Sequence, residues 1–512
     1  MLNVFIIISK YLFIIYMGLF LWNGFVAGTN KSSAAKYYFA LANQRLAMIF
    51  FHINAFLLLI WNDPSDITGS IGKAVGILFI ILLGCFTARK LYPNSSQILW
   101  NGIFFLGDIG LVTLYTLKPE LADKQLVWHA IGFIAALILP ALLDRLPRLD
   151  KFKVFYISLA MVLLVSTLIF GDDEFGSKNW ISIGSFSFQP SEVVKLLFIA
   201  YLASALNQKP DIRQLAVPSV LCAVILLCFV AQKDLGSALI FFMSFMVVVY
   251  IATSNVLYFL VGTGAAALGS FIAYHLFSHI RVRVEAWLDP WSHIDTSGYQ
   301  IAQSLFAIAT YGLVGAGLTK GYSSTIPVIE RDFIFSAICE EFGVIFGIGI
   351  ILVFLMIFLE GAVGALNAKN RFLCLFCAGL TALLGFQSFV ILGGVTKLIP
   401  LTGVTLPFIS YGGTSLLMCY VLVGIIQWVY KSCVQYLEQA EEEAAAEMPR
   451  VKKPRRQTPV QTHSPEPEQP RRRAPKQGAK PAPKQGAKPA KKRKSEDISL
   501  DEVLEYGRRQ RK

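Results

Sequence analysis

About thirteen apolar runs, each near the length that crosses a bilayer, follow one another along this 512-residue chain. They lie at 4–27, 46–61, 73–88, 98–117, 126–143, 153–171, 191–206, 214–231, 235–253, 256–279, 333–358, 372–396 and 406–431. Inside a bilayer the backbone has no water to bond, so such runs fold as helices. The expected fold class is therefore all-α and polytopic. Composition agrees, with 55% hydrophobic residues, 15% charged and a mean hydropathy of +0.57. The first run is too long for a signal peptide and lacks a cleavage pattern, so it counts as a span.

The formal charge of +13 is not spread along the chain. From Pro449 to Lys512 there are 20 basic and 7 acidic residues, which accounts for all of it. The basic balance thus describes a tail and gives no reason to expect a nucleic-acid partner. Residues 435–512 read as a disordered cytoplasmic tail, in which APKQGAKP occurs twice, at 474–481 and 482–489. Such a tail is attracted to anionic membrane lipids. Its end, SLDEVLEYGRR, offers Ser499 and Glu502 as a capping box and is either a short helix for a cytoplasmic partner or a frayed end. All eight cysteines lie in or beside apolar runs, which argues against a disulfide framework. The C-x-x-C of Cys374 and Cys377 sits inside a helical apolar run and reads as two small residues on a helix face.

Basic residues mark alternate connections: Lys31, Lys36 and Arg45; Arg89 and Lys90; Arg145, Arg148, Lys151 and Lys153; Lys209 and Arg213; Lys369 and Arg371. By the positive-inside rule these are cytoplasmic. The N-terminus is then outside and the tail inside. The segments 171–190, 280–332 and 397–405 share the outer face and are expected to build one composite site.

Four constellations there carry chemistry. In GSKNWISIGSFSFQPSEVVK, residues 176–195, Pro190 suits a first helical turn, with Glu192 and Lys195 one turn apart. They form either a helix-end ion pair or an acid–base pair with Lys195 offered to a phosphate. Asp234 in QKDLGS reads best as a helix cap. The long polar stretch 280–332 carries Arg281, Arg283, Gln300, Gln303 and Ser304, and its arginines suit either a pyrophosphate or lipid headgroups. In KLIPLTGVTLPFISYGGTS, residues 397–415, Pro and Gly imply a broken or re-entrant segment. Asp332 stands where the chain re-enters the membrane and is either a helix cap or a functional acid. Glu340 and Glu341 lie deeper and read as structural.

In their order and spacing, GSFSFQPSEVVK, QKDLGSALI, LDPW…GYQIAQSL, DFIFSAICEEFG and IPLTGVTLPFISYGGTSLL closely resemble the SEDS family, FtsW/RodA/SpoVE. The likeness runs from about Gln97 to about Tyr430. It implies a ten-span helical core over 93–434 with the large outer loop 280–332, preceded by a three-span extension over 1–92. It implies a peptidoglycan glycosyltransferase that polymerises lipid II at the outer face of the bacterial cytoplasmic membrane, in elongation, division or sporulation. It also implies a partner, a class B penicillin-binding transpeptidase with a single span. The family's loop acid falls on Asp332, as catalytic base of an inverting transfer. Glu192, Lys195, Arg281, Arg283, Gln303 and Ser304 fall to substrate binding. No organic cofactor is implied; a divalent cation, Mg or Mn, would suit the pyrophosphate, with its ligands unknown. Two departures stand out: Glu330-Arg331 replaces the family's His-Thr before the acid, and Lys233 replaces a proline. A lipid II flippase would instead need a polar path across the membrane, and a non-catalytic scaffold would tolerate loss of Asp332.

Overall fold

The computed structural model describes residues 2–146, 148–174, 177–184 and 186–447, with side chains as far as 434 apart from residues 173, 174, 183 and 186. The expectations for the tail, including Ser499 and Glu502, lie outside the described residues.

Helices dominate. The first three, α1 (Leu2–Thr29), α2 (Ala34–Asn62) and α3 (Ile67–Leu91), precede α4 (Gln97–Leu117), α5 (Pro119–Leu143) and α6 (Lys153–Phe170). A small antiparallel sheet follows, β1 (Asp172–Glu174), β2 (Ser177–Ile183) and β3 (Phe186–Phe188), in that order. Then come α7 (Pro190–Ala205), α8 (Ile212–Ala231), α9 (Leu235–Thr253), α10 (Val256–Leu276), α11 (Ser278–Leu288), α12 (Tyr299–Thr310), α13 (Ile334–Phe342), α14 (Val344–Leu366), α15 (Arg371–Val395) and α16 (Gly413–Glu447).

Among the described residues, twelve helices are long and apolar enough to cross a membrane. The thirteenth expected span, α7, has 16 residues, about 24 Å at 1.5 Å per residue, which is shorter than a bilayer core. It is buried among other helices: α15 packs on α7, α9 and α14, and α7 on α6. A helix surrounded by protein has no lipid thickness to match.

Four expectations need correction. The 333–358 run is two helices, because Gly343 adopts φ +91° with its Cα against the Leu313–Val314 backbone. A Cβ there would stand 2.3 Å from the Leu313 carbonyl oxygen, so only glycine fits. The 406–431 run becomes helical only at Gly413; residues 401–412 are irregular and packed against protein, as membrane-depth coil must be. The 280–332 stretch is not one loop but carries α11 and α12. Lys36 and Arg45 are not in a connection either, since α2 begins at Ala34.

Arg45 is held because polar partners meet it between helices. Its Nε and Nη2 donate to Asn101 Oδ1 (3.1 Å) and Gln97 Oε1 (3.3 Å) on α4. Nearby, Asn101 donates to Gln44 at 2.9 Å and His52 pairs with Asp108 at 2.7 Å. Lys31, in the α1–α2 turn, reaches Glu360 of α14 at 2.8 Å. Polar side chains thus fasten α1–α3 onto α4 and α14, since apolar faces alone gain little from meeting in lipid.

Candidate active site

The chain near Asp332 is shaped by two turns zipped together. Val328 takes a left-handed φ of +59°, and its carbonyl accepts from the Arg331 and Asp332 amides at 3.1 and 3.2 Å. Opposite it, Phe408 sits at φ +65°. The Tyr411 amide donates to the Glu330 carbonyl at 2.9 Å, and Ser410 Oγ donates to the Arg331 carbonyl. Asp332 is thereby fixed on the wall of a cavity of about 380 Å³. β2, α7, the start of α9, α11, α12 and residues 401–405 supply the remaining walls. The three polar segments expected to share a face do line one cavity.

Asp332 does not cap α13, whose N-cap residue is Phe333. Its half-buried carboxylate makes no hydrogen bond or ion pair among the described residues. Gly403, at φ +73°, lets the opposite wall close in: a Cβ there would lie 3.6 Å from Asp332 Oδ2. Burial pushes the Asp332 carboxyl up to about 6; the Arg331 and Arg283 guanidiniums pull it down and Glu330 pushes it up. An acid raised in this way and facing a cavity is suited to take a proton.

The other expected residues divide. Glu192 and Arg283 reach the cavity wall. Arg283 Nη1 donates to the Leu401 and Thr402 carbonyls, both at 3.3 Å, and so ties α11 to the 401–405 wall. Lys195 is buried behind that wall. It donates to Glu192 Oε1 at 2.8 Å and to Gln387 Oε1 at 3.2 Å, and Gln387 donates onward to the Thr405 carbonyl at 3.1 Å. The pair therefore braces the wall. Arg281 points away, donating to the His275 carbonyl and stacking on Tyr274 on an exposed face. Ser304 is buried between helices, bonded to Ser336 and the Val395 carbonyl. Gln303 is off the cavity wall, whereas Gln300, one helical turn before Ser304, is on it.

Asp234 caps α9, accepting from Ser237 N, Ser237 Oγ and Asn179 Nδ2 at 2.7–3.0 Å. It also fastens the β-hairpin to the helices. Sequence reasoning missed three cavity-side groups: Asn179, Trp180 and Arg331. The signal for Trp180 was a tryptophan within a polar, glycine-flanked stretch.

Among the described residues no cluster of three or more His, Cys, Asp or Glu could hold a metal. Of the cavity carboxylates, Glu192 is paired with Lys195 and Asp234 is committed to its cap, so the donor set does not fit a cation held by protein alone.

Comparison with known proteins agrees with this architecture. The family profile of FtsW/RodA/SpoVE, described as cell cycle proteins, matches residues 96–434. The peptidoglycan glycosyltransferase RodA of Mycobacterium tuberculosis is 32% identical over 396 residues, covering 71% of this chain and 83% of that protein. Stage V sporulation protein E of Bacillus subtilis is 32% identical over 66% of this chain and 97% of its own. Among solved structures, a chain from work on the coordination of polymerization and crosslinking by a peptidoglycan synthase complex matches at TM-score 0.58 and 28% identity, covering 67% of this chain and 99% of that one. The rod shape determining protein RodA of Thermus thermophilus matches at TM-score 0.51 and 26% identity, covering 66% and 97%. With the profile spanning well over half of its length, the chain belongs to the FtsW/RodA/SpoVE family.

Proposed function

We propose that this protein is a peptidoglycan glycosyltransferase that polymerises lipid II at the outer face of the bacterial cytoplasmic membrane. The observation that carries this reading is Asp332: an acid with no hydrogen-bond or ion-pair partner among the described residues, its carboxyl pushed up to about 6 by burial, on the wall of a polar cavity at the ends of membrane helices.

The chemistry follows from the substrate. A sugar anomeric carbon bears a polyprenyl pyrophosphate, and an acceptor sugar hydroxyl displaces it. Asp332 accepts the hydroxyl proton as the new glycosidic bond forms, and the C–O bond to pyrophosphate breaks with inversion. Arg283, fixed by two backbone carbonyls, supplies positive charge at the cavity wall for the departing anion. Glu192, Lys195 and Gln387 act at one remove by holding residues 401–405 against Asp332. A lipid-linked donor also accounts for a site placed at membrane helix ends.

The same reading puts the N-terminus outside, the basic tail inside, residues 1–92 as an addition to a ten-span core, and a single-span class B penicillin-binding transpeptidase as partner. The kinship to a chain of a peptidoglycan synthase complex supports such a partner. Polymerisation of labelled lipid II by purified protein, alone and with the transpeptidase, tests the proposal. Asp332→Asn, nearly isosteric and not a cap, is expected to abolish glycan formation while expression and folding persist. Near-normal polymerisation by that variant would end the catalytic assignment.

A further inference from the structure

Asn179, on β2, is a cavity group that the reading so far leaves without a task. Its Nδ2 donates to Asp234 Oδ2 at 3.0 Å. Asp234 also takes the Ser237 amide at 3.0 Å and the Ser237 hydroxyl at 2.7 Å, so its oxygens serve as acceptors. This fixes which way the Asn179 amide is turned, because the reverse orientation would set its oxygen against a carboxylate. Oδ1 is the end left over. The residue is 8% exposed, and Oδ1 meets no donor among the described residues. A buried acceptor without a donor is costly, and native sites keep few of them.

Two further side chains meet the turn that Asp234 caps. A Cβ added to Gly236 would lie 3.0 Å from Thr402 Cβ and 2.5 Å from Val404 Cγ1, so both crowd the start of α9. Both also line the cavity. Thr402 Oγ1 is a second buried polar atom with no partner among the described residues, while the Thr402 carbonyl is taken by Arg283. Val404 adds a buried apolar surface. The charges beside this corner, Asp234 and the Arg283 nitrogen on Thr402, are engaged in the wall itself. What the corner offers is an acceptor of set orientation, an unspent hydroxyl and an apolar contact. Its complement is a small neutral group with one N–H, one carbonyl and one methyl, which describes an acetamido group. A hydroxyl in its place would leave Val404 uncovered.

We infer that Asn179, turned by Asp234, is a specificity-determining residue that accepts the N–H of a sugar acetamido group, with Thr402 donating to its carbonyl and Val404 against its methyl. This rests on the reading given under Proposed function and names what that site selects. Lipid II carries an acetamido group on each of its two sugars, the one bearing the pyrophosphate and the one bearing the attacking hydroxyl. Polymerisation by the purified full chain is therefore compared for lipid II and for two analogues, each with acetoxy in place of acetamido on one sugar. The ester keeps the carbonyl and the methyl and lacks the N–H. The wild type is expected to favour lipid II in kcat/KM roughly 10- to 100-fold over at least one analogue, because a site built around a hydrogen bond rejects the group that lacks it. The rejected analogue names the sugar. In Asn179→Leu the preference should shrink to about twofold or less, since neither group then finds an acceptor. Thr402→Val, nearly isosteric, covers the case in which the leucine variant does not fold. It should narrow the preference for lipid II over an analogue with hydroxyl in place of acetamido and leave the preference over the ester as it was.

A wild type that polymerises lipid II and both ester analogues equally well overturns the role of Asn179 and leaves the glycosyltransferase reading standing. An Asn179→Leu variant that loses lipid II and ester alike, with the wild-type preference intact, overturns it too, because a merely structural asparagine would do that. If the wild-type chain polymerises neither lipid II nor the analogues, the function and the specificity fail together.

Discussion

Replacing Lys195 by methionine would leave the Glu192 carboxylate buried and uncompensated. The two groups are 2.8 Å apart, with side chains only 3% and 7% exposed. At that distance and an effective dielectric of about 20, their attraction is about 6 kcal/mol, set against the loss of hydration on both. The pair therefore nets little over a neutral packing of the same shape, while removal of one partner costs about 3–5 kcal/mol. Lys195→Met and Glu192→Gln should each destabilise by that order. The double variant should recover most of it, so its loss should fall well below that of either single variant. All eight cysteines are buried or half-buried, so thermal unfolding in detergent can be followed by a thiol-reactive dye. Because Lys195 braces the 401–405 wall from behind, the folded double variant should retain measurable lipid II polymerisation. A double variant no more stable than the singles would refute the energetic reasoning. A stable double variant with no activity would show that one of these side chains touches substrate.

Other outcomes follow from the same geometry. With its carboxyl near 6, Asp332 loses its role as base when protonated, so kcat/KM should fall about tenfold per pH unit below about pH 6 and be flat just above it; an acid limb near 4 would mean that burial does not perturb the group. Gly343→Ala forces a Cβ to 2.3 Å from the Leu313 carbonyl oxygen at φ +91° and should destabilise by at least about 2 kcal/mol, which an unchanged melting curve would contradict. Single cysteines at Ser32 and Ser65, flanking α2, should label in intact cells only at Ser65; labelling at Ser32 would invert the proposed topology.

The sequence alone determined that this is a multi-pass helical membrane protein and where most helices lie, because one-dimensional hydropathy reports directly on a backbone that must satisfy itself in lipid. The run 235–253 coincides with α9, and five ordered motifs sufficed to identify the family. Asp332 was legible for the same reason: an acid at a membrane entry is unusual wherever the rest of the chain goes. What escaped was decided by contacts between distant segments. Glu192 and Lys195 look alike on one helix turn, yet only packing of Gln387 and Thr405 shows that one faces the cavity and the other braces it. Arg281 and Arg283 are two residues apart, and the register of α11 on the 397–402 carbonyls sends them to different surroundings. Arg45 reads as a loop charge until Gln97 and Asn101 of α4 are placed beside it. Arg331 gains its place only when a hairpin tryptophan and a turn tyrosine close on it. Polar side chains take their meaning from partners that lie far off in sequence, and pattern along the chain carries no record of them.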